Sequence, residues 1–287
     1  MNQPVFTPTP PVSSSSTETP AYDAELSRYH RAFRAELQSA VMQTRVPVGA
    51  RVLDVPCGDG FYTRLLAEQV GSQGHVIGAD ALPAYLQRGE RAAQAADVAE
   101  QTDFVQGDAY RLPFEDQSFD VVWCAQSFIS LDAPWAALRE FHRVLRAGGC
   151  MAVLESDDFH HVVLPWPPAL ELHLQAALQD ACRQEYGDAS KTYVSRRMRR
   201  WLCDAGFDPV RRASYTADRQ QPLPSDTRSY LEVHLAELVK FLRPHLPTPD
   251  QEALDDLTRP DSSQYLLDQQ DFDMTCLFTV WRGQRND

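Results

Sequence analysis

The stretch VLDVPCGDGF at residues 52–61 constrains the fold of this chain more than any other part of its sequence. Residues 52–55 are apolar except for Asp54, a composition typical of a buried strand with a carboxylate near its end. Gly58 and Gly60 follow, in a turn that lets a ligand approach the backbone closely before a helix begins. In an open α/β sheet, nucleotide-like ligands bind at the carboxyl edge of the strands. The stretch therefore predicts a site for such a ligand after the first strand.

The glycine turn departs from the dinucleotide-binding pattern G-x-G-x-x-G. Thr63 stands where the third glycine would fall, and Pro56 precedes the first one. Proline has no N–H, so residue 56 can donate no backbone hydrogen bond to a ligand. It also favours an extended Val55, which suits the end of a strand, so we expect the turn to form. The pattern therefore gives little support to a nicotinamide-dependent oxidoreductase.

Further carboxylates follow the strands predicted downstream. HVIGAD at 75–80 predicts a second strand ending in Asp80, where an acid can accept hydrogen bonds from both hydroxyls of a ribose. DFVQGDAYRLPFEDQSFDVVWC at 103–124 predicts a third strand, a turn containing Asp108, and a fourth strand. At that turn a carboxylate can accept a hydrogen bond from the amine of an adenine. LRAGGCMAVLES at 145–156 then predicts the end of a helix, a glycine break and a fifth strand.

In this order and spacing, these segments resemble the class I S-adenosylmethionine-dependent methyltransferases. The closest similarity is to the small-molecule branch that includes the ubiquinone- and menaquinone-pathway enzymes. The resemblance spans roughly residues 48–156, a little over a third of the chain. It implies an α/β fold with a Rossmann-like, doubly wound, seven-stranded, mostly parallel sheet, an antiparallel strand near the C-terminus, and helical lid insertions. It also implies methyl transfer from S-adenosylmethionine to an O, N or C nucleophile of a small molecule.

The resemblance assigns cofactor contacts residue by residue. Asp54, Gly58 and Gly60 would surround the methionine part, Asp80 would bind the ribose, and Asp108 with its neighbour Ala109 the adenine. The full implied cofactor-binding set is Asp54, Pro56, Cys57, Gly58, Gly60, Asp80, Ala81, Leu82, Asp108, Ala109 and Cys124.

Candidate catalytic and substrate-binding residues follow the fourth and fifth strands. Methyl transfer needs mainly two well-positioned reactants, with a general base if the nucleophile is a hydroxyl. His160 or His161 is the preferred base, because an unperturbed histidine titrates near neutral pH. Glu155, Asp157 and Asp158 are further candidates in the same segment. Residues predicted to contact the substrate are Gln126, Ser127 and Trp166.

Composition excludes several classes of function. A net charge of −13 argues against general affinity for nucleic acid or an anionic membrane, and it suits a small neutral or cationic substrate. No apolar run is long enough for a membrane span, and the first twenty residues contain no signal- or transit-peptide pattern. The six cysteines are scattered without metal-binding spacing, so we expect reduced thiols, no metal site and a cytoplasmic protein. The sequence does not indicate an oligomeric state.

The chain is predicted to hold a disordered tail at 1–20 and a single methyltransferase domain at 21–287. Within that domain we expect an N-terminal helical cap at 21–46, a cofactor-binding core at 48–156, and helical lid or substrate segments at 157–195 and 218–270. Apolar periodicity predicts helices at 22–43, 169–186, 195–207, 225–243, 250–257 and 262–269, and strands at 208–217 and 274–281.

A second class of function stays open from the sequence. The same fold and cofactor motifs suit a non-catalytic S-adenosylmethionine-binding protein, such as a partner subunit, or a repurposed enzyme such as a cyclase. A turnover assay separates these alternatives from a methyltransferase.

Overall fold

The computed structural model describes residues 23–157, 161–188 and 193–286. The tail expected at 1–20 lies outside these residues. Eight strands and nine α-helices occur in the described parts of the chain. The strands are β1 Arg51–Asp54, β2 His75–Asp80, β3 Thr102–Gln106, β4 Phe119–Ala125, β5 Leu145–Leu154, β6 Val162–Val163, β7 Phe207–Gln220 and β8 Asp273–Arg285. The helices are α1 Asp23–Ala32, α2 Arg34–Met42, α3 Phe61–Val70, α4 Pro83–Ala95, α5 Pro134–Val144, α6 Pro168–Tyr186, α7 Val194–Asp204, α8 Ser225–Leu242 and α9 Thr248–Thr258.

All eight strands join one sheet, in the order β3-β2-β1-β4-β5-β8, with β7 pairing along the far side of β8. Strands β1 to β5 pair in parallel, and β8 runs antiparallel to both β5 and β7. This confirms the mostly parallel sheet with an antiparallel strand near the C-terminus. The predicted count of seven strands omitted β6, a two-residue strand that pairs with β8 beyond the end of β5. Two residues carry too little pattern to be seen in a sequence.

The central strands are apolar on both faces because helices cover both sides of the sheet. In β1, Val52 belongs to the apolar cluster beneath α2 and α3, whereas Leu53 belongs to the cluster beneath α5 and α7. The same alternation separates Val121 from Val122 in β4. With both faces buried, the carboxyl edge of the parallel strands is the part of the sheet where polar side chains can gather.

A layer of helices covers the carboxyl edge near α1. Helices α6, α8 and α9 share a third apolar cluster that includes Leu174, Leu242 and Leu254. Helix α1 packs on α8, where Tyr29 and Tyr230 meet edge to face at 5.5 Å and His234 bonds Glu25 at 2.8 Å. These helices come from the N-terminal cap and from the segments predicted to cover the site.

Three helix predictions differ from the structure. The helix expected at 22–43 is two helices, interrupted at Phe33, whose ring is fully buried against Tyr230 and Phe278. The helix expected at 195–207 spans Val194–Asp204, so Ser195 lies inside it, where its hydroxyl accepts a hydrogen bond from Trp281 Nε1. The helix expected at 262–269 is a single 3₁₀ turn, Leu266–Asp268. In each case a contact distant in sequence, or a short turn, overrides the local pattern.

Within the described residues, no helix combines the length and apolar character that a membrane span requires.

Candidate active site

The turn between β1 and α3 forms as the sequence predicts, with Pro56 in it. The peptide bond before Pro56 is cis. The amide of Cys57 donates to Ala79 O at 2.9 Å, which ties the turn to β2. Gly58 and Gly60 adopt left-handed conformations, with φ of 52° and 72°. The chain thus passes from strand to helix in a few residues, and the N-terminus of α3 faces the carboxyl edge of the sheet. The first amide of the helix, Phe61 N, donates to Asp59 Oδ1 at 3.1 Å.

The two glycines of this turn have different surroundings at the position of a Cβ atom. A Cβ atom on Gly58 would meet nothing within 4 Å, so this residue faces open space where a ligand can approach the backbone. A Cβ atom on Gly60 would lie 2.7 Å from the ring of Phe104. The small size of Gly60 is therefore needed for packing on β3, and a ligand contact with its backbone stays a prediction.

Asp80, at the end of β2, holds the glycine turn. Its Oδ2 atom accepts from Gly58 N at 2.9 Å, and its Oδ1 atom accepts from Leu82 N at 2.9 Å. Burial raises the pKa of this carboxyl group, and the backbone donors oppose that rise. Each carboxylate oxygen has two lone pairs, so each can still accept a hydrogen bond from a ligand hydroxyl.

Asp54, at the end of β1, is fully buried. Its Oδ2 atom accepts from Thr63 Oγ1 at 2.6 Å. Among the described residues, none donates a hydrogen bond to its Oδ1 atom. Burial is the main cause that raises the pKa of Asp54 to about 7; the Thr63 hydrogen bond opposes the rise and the neighbouring Asp80 charge adds to it. A buried carboxylate with an unpaired oxygen is costly, and a cationic group beside it would remove that cost.

Asp108 and Ala109 follow β3 on the same edge. Asp108 is exposed, and its Oδ1 atom accepts from Tyr110 N at 2.8 Å, which shapes the turn. Ala109 and Leu82 are buried, while Ala81 is exposed and its carbonyl accepts from Gln106 Nε2 at 3.0 Å. The amide of Gly107 donates to Asp80 O at 3.0 Å, so the ends of β2 and β3 adjoin. The structure thus brings Asp54, Asp80 and Asp108 to neighbouring strand ends, which together form what we call the crevice.

Two cysteines of the predicted cofactor set are buried. Cys57 lies in the glycine turn, and burial raises the pKa of its thiol well above the ordinary value. Cys124 lies in β4 within the apolar cluster beneath α5, and burial raises its pKa as well. Both are therefore thiols at neutral pH. Cys124 belongs to the packing of the sheet, whereas Cys57 adjoins the crevice.

A cavity of about 150 Å³ opens beside the crevice, after the ends of β4 and β5. We call it the acceptor cavity. Its polar side chains come from the two strand ends and from the segment that follows β5, and its apolar ones from α1, β5, β8 and the loop after β4. The lining residues are Tyr29, Gln126, Ile129, Leu154, Glu155, Ser156, His161 and Phe278.

His161, Gln126 and Glu155 are the sequence-predicted residues that the structure brings into this cavity. The ring of His161 lies 5.1 Å from that of Tyr29. Burial, followed by the neighbouring His234, lowers the pKa of His161 to about 4. It is therefore a neutral imidazole at pH 7. His160, the other predicted base, and Asp158 lie outside the described residues.

Other predicted residues lie elsewhere. Ser127 donates from its hydroxyl to Ala125 O at 2.7 Å and from its amide to Glu155 Oε2 at 3.1 Å, so it braces the two strand ends. Trp166 packs against the apolar cluster of α6, α8 and α9 rather than lining the acceptor cavity. Asp157 pairs with Arg196 at 2.6 Å, which makes it an anchor for α7.

The sequence pattern does not identify several residues that line the acceptor cavity or contact Gln126. Tyr29 lies in a helical repeat that predicts packing, and His30, Tyr62 and Phe278 belong to no motif. The helices and the strand that carry these four residues are far apart in the sequence, and they come into contact only in the folded protein. Leu154 and Ser156 flank Glu155 directly after β5, and that position at a strand end is the signal that could have found them.

Comparison with known proteins agrees with this architecture. Residues 52–149 match a family described as "Methyltransferase domain". A 2-phytyl-1,4-naphtoquinone methyltransferase from Thermosynechococcus vestitus is 41% identical over 143 residues, 50% of this chain and 59% of that protein. A demethylmenaquinone methyltransferase from Staphylococcus epidermidis is 36% identical over 129 residues, 45% of this chain and 51% of that protein. The chain thus spans little more than half the length of these curated relatives.

The solved structures extend the similarity beyond the matched segment. A protein of Bacillus halodurans C-125, assigned as a methyltransferase, superposes with a TM-score of 0.54 at 18% identity. The superposition covers 87% of this chain and 99% of that one. Residues 52–149 are therefore similar to a methyltransferase domain, and the chain shares the Rossmann-like fold of the Bacillus halodurans protein.

Proposed function

We propose that this protein transfers a methyl group from S-adenosylmethionine to a small-molecule acceptor. The observation that carries the proposal is the unpaired, buried Oδ1 atom of Asp54, at the end of the strand that leads into the turn where Gly58 faces open space. The relatives support it, because their names identify them as methyltransferases of a phytylnaphthoquinone and of demethylmenaquinone.

The residues of the crevice suit this cofactor. Asp54 would pair with the cationic methionine amine, the positive end of the α3 helix dipole would attract the methionine carboxylate, and Gly58 leaves room for the methionine chain. Asp80 would accept from the ribose hydroxyls, and Asp108 from the adenine amine. Cys57, Ala81, Leu82 and Ala109 adjoin these positions, whereas Pro56 contributes no amide donor.

The acceptor cavity would hold the second reactant. When bound, the cofactor supplies a methyl group on a positively charged sulfur, which becomes the neutral thioether S-adenosylhomocysteine. The acceptor's nucleophilic atom would take this methyl group, and the electron pair of the broken carbon–sulfur bond would remain on sulfur. His161 is a neutral imidazole at pH 7 and would take the proton that the acceptor loses. Tyr29, Leu154 and Phe278 exclude water from the reacting atoms.

The remaining expectations belong to this proposal too. We infer one methyltransferase domain over 21–287, in which segments 157–195 and 218–270 cover the crevice and the cavity. The free cysteines among the described residues support a reducing, cytoplasmic location. The charge of −13 supports a small-molecule partner rather than nucleic acid or an anionic membrane surface.

Two measurements test the function. Isothermal titration should detect S-adenosylmethionine binding, and a screen of small acceptors should release S-adenosylhomocysteine. Absence of cofactor binding contradicts the proposal. Binding without product across a broad acceptor panel favours the alternative, a non-methylating cofactor-binding protein.

A further inference from the structure

Gln126 occupies an unusual position at the end of β4. Its backbone has φ of 51°, the left-handed region that few residues other than glycine adopt. Its amide N–H donates to Leu154 O at 2.8 Å, and its side chain lines the acceptor cavity. Strained backbone of this kind is maintained by surrounding contacts and is common at functional sites.

The side-chain oxygen of Gln126 is already occupied by protein groups. The Tyr62 hydroxyl donates to Oε1 at 3.0 Å, and His30 Nε2 lies 3.4 Å from the same atom. Burial raises the pKa of Tyr62 well above its ordinary value, so the phenol keeps the proton that it donates. Burial lowers the pKa of His30 to about 4, so its ring is neutral and donates from Nε2 in one tautomer.

This arrangement orients the amide. With Oε1 turned toward Tyr62 and His30, the NH₂ group of Gln126 is the end left to serve another partner, and it carries two donors. Tyr62 and His30 are themselves held, since His30 stacks on Phe61 at 4.0 Å and Tyr62 packs on Trp123 at 5.5 Å. Gln126 therefore brings a preorganised hydrogen-bond donor to the cavity.

The size and lining of the cavity restrict what can meet that donor. A cavity of about 150 Å³ holds one benzene ring in another protein. The rings of Tyr29 and Phe278 favour a flat apolar group. The imidazole of His161 and the carboxylate of Glu155, which line the same cavity, can accept a hydrogen bond. A hydroxyl is the small group that both accepts and donates.

Resting on the proposed function, we propose that the acceptor presents a ring-sized, hydroxyl-bearing group to this cavity. Gln126 is the specificity-determining residue, whose amide donates to the hydroxyl oxygen. Tyr62 and His30 act as positioning residues that orient that amide. In this arrangement the hydroxyl oxygen attacks the methyl carbon and its proton passes to His161.

Binding of small probes tests the inference without knowledge of the acceptor. The probes are 4-fluorophenol, its nearly isosteric partner 4-fluorotoluene, and the cation 4-fluorobenzylamine, titrated against the full chain by ¹⁹F NMR. We expect 4-fluorophenol to bind about tenfold more tightly than 4-fluorotoluene, since one added hydrogen bond has an effect of that order. Equal affinity of these two probes, absence of binding, or preference for 4-fluorobenzylamine overturns the inference.

Variants assign the preference to Gln126. Gln126→Met keeps the length of the side chain without the donor, and should reduce the phenol preference to less than threefold while 4-fluorotoluene affinity is unchanged. Tyr62→Phe removes one orienting hydrogen bond and should reduce the preference partly. A merely structural role would weaken both probes equally, and that result overturns the assignment.

Cofactor titration separates this inference from the proposed function. Gln126→Met and Tyr62→Phe should each leave S-adenosylmethionine affinity within threefold of the wild type, which also shows that the variants are folded. If the cofactor binds and the phenol preference is absent, only the inference fails. If the cofactor does not bind the wild type, the proposed function fails whatever the probes do.

Discussion

The Oδ2 atom of Asp80 accepts a hydrogen bond of 2.9 Å from the backbone nitrogen of Gly58. The carboxylate at the end of β2 therefore shapes the glycine turn that follows β1, in addition to any contact with a ribose. Two motifs that are 22 residues apart act as one unit of the site.

Replacing Asp80 tests that unit. Asp80→Ala removes both a ribose acceptor and the support of the turn, so we expect S-adenosylmethionine affinity to fall roughly 10- to 100-fold, since hydrogen bonds to charged groups contribute about 1.5–3 kcal/mol. Isothermal titration measures the change. Asp103→Ala is the matched control, because Asp103 is an exposed carboxylate on β3 that pairs with His75. Unchanged affinity in Asp80→Ala contradicts the ribose assignment.

Asp54 should make cofactor binding depend on pH. The pKa of this carboxyl group is raised to about 7 in the folded protein, so below pH 7 the group is protonated and must lose its proton to pair with a cation. Affinity for S-adenosylmethionine should therefore rise up to tenfold per pH unit between about pH 5.5 and 7, and level off above. Titrations across this range should show no such slope for Asp54→Asn. A wild-type affinity independent of pH speaks against Asp54 as the partner of the amine.

The same shift affects stability in the opposite direction. Unfolded Asp54 ionises near pH 4, whereas the folded protein retains the proton up to about pH 7. Without cofactor, the Asp54 contribution to the free energy of unfolding should therefore decrease as pH rises from about 4 to 7. Denaturant unfolding of the wild type and Asp54→Asn at pH 5 and 7 measures this difference. The decrease should be smaller in the variant, and equal decreases exclude Asp54 as its source.

The two glycines of the turn should respond differently to alanine. Both have positive φ, which costs an alanine about 1–2 kcal/mol. Gly60→Ala also collides with Phe104, so its total cost should reach roughly 3 kcal/mol, against about 1 kcal/mol for Gly58→Ala. Thermal unfolding should therefore show a larger decrease in melting temperature for Gly60→Ala than for Gly58→Ala. Gly58→Ala should lose more cofactor affinity per kcal/mol of lost stability than Gly60→Ala. If Gly60→Ala shows the larger ratio, Gly60 is the residue that faces the ligand.

His161 should act as the base. We expect His161→Gln to lower kcat by about 10²- to 10⁴-fold for a hydroxyl acceptor found in the screen. His75→Gln is the control, because His75 pairs with Asp103 and does not line the acceptor cavity. Since the pKa of His161 is about 4, its protonation should leave kcat constant from about pH 5.5 to 7.5. If kcat instead decreases at pH values below about 6.5, and if His160→Gln greatly lowers kcat, the base is His160.

Much of the cofactor site could be predicted because it depends on local order in the chain. The strand at residues 52–55, the glycine turn and the start of α3 are consecutive, and hydrophobic pattern and turn residues specify each of them. Asp80 and Asp108 end neighbouring strands, so a parallel sheet necessarily brings them to one edge.

The acceptor cavity could not be predicted in the same way. It joins Tyr29, His161 and Phe278, which are separated by more than 100 residues each, and no local pattern distinguishes a cavity-lining ring from a packed one. Trp166 illustrates this, because the sequence predicts a substrate contact there while its ring packs among helices. The differing roles of Gly58 and Gly60 likewise depend on Phe104, far along the chain.

The sequence by itself determined the parallel strands β1 to β5, the glycine turn and the three carboxylates at the carboxyl edge, because these follow from short-range pattern and from parallel pairing. Only the tertiary structure decided which oxygen of Asp54 lacks a partner, how the amide of Gln126 is oriented, and which rings enclose the acceptor cavity. Those properties depend on side chains that meet across long stretches of chain, and packing in three dimensions selects them.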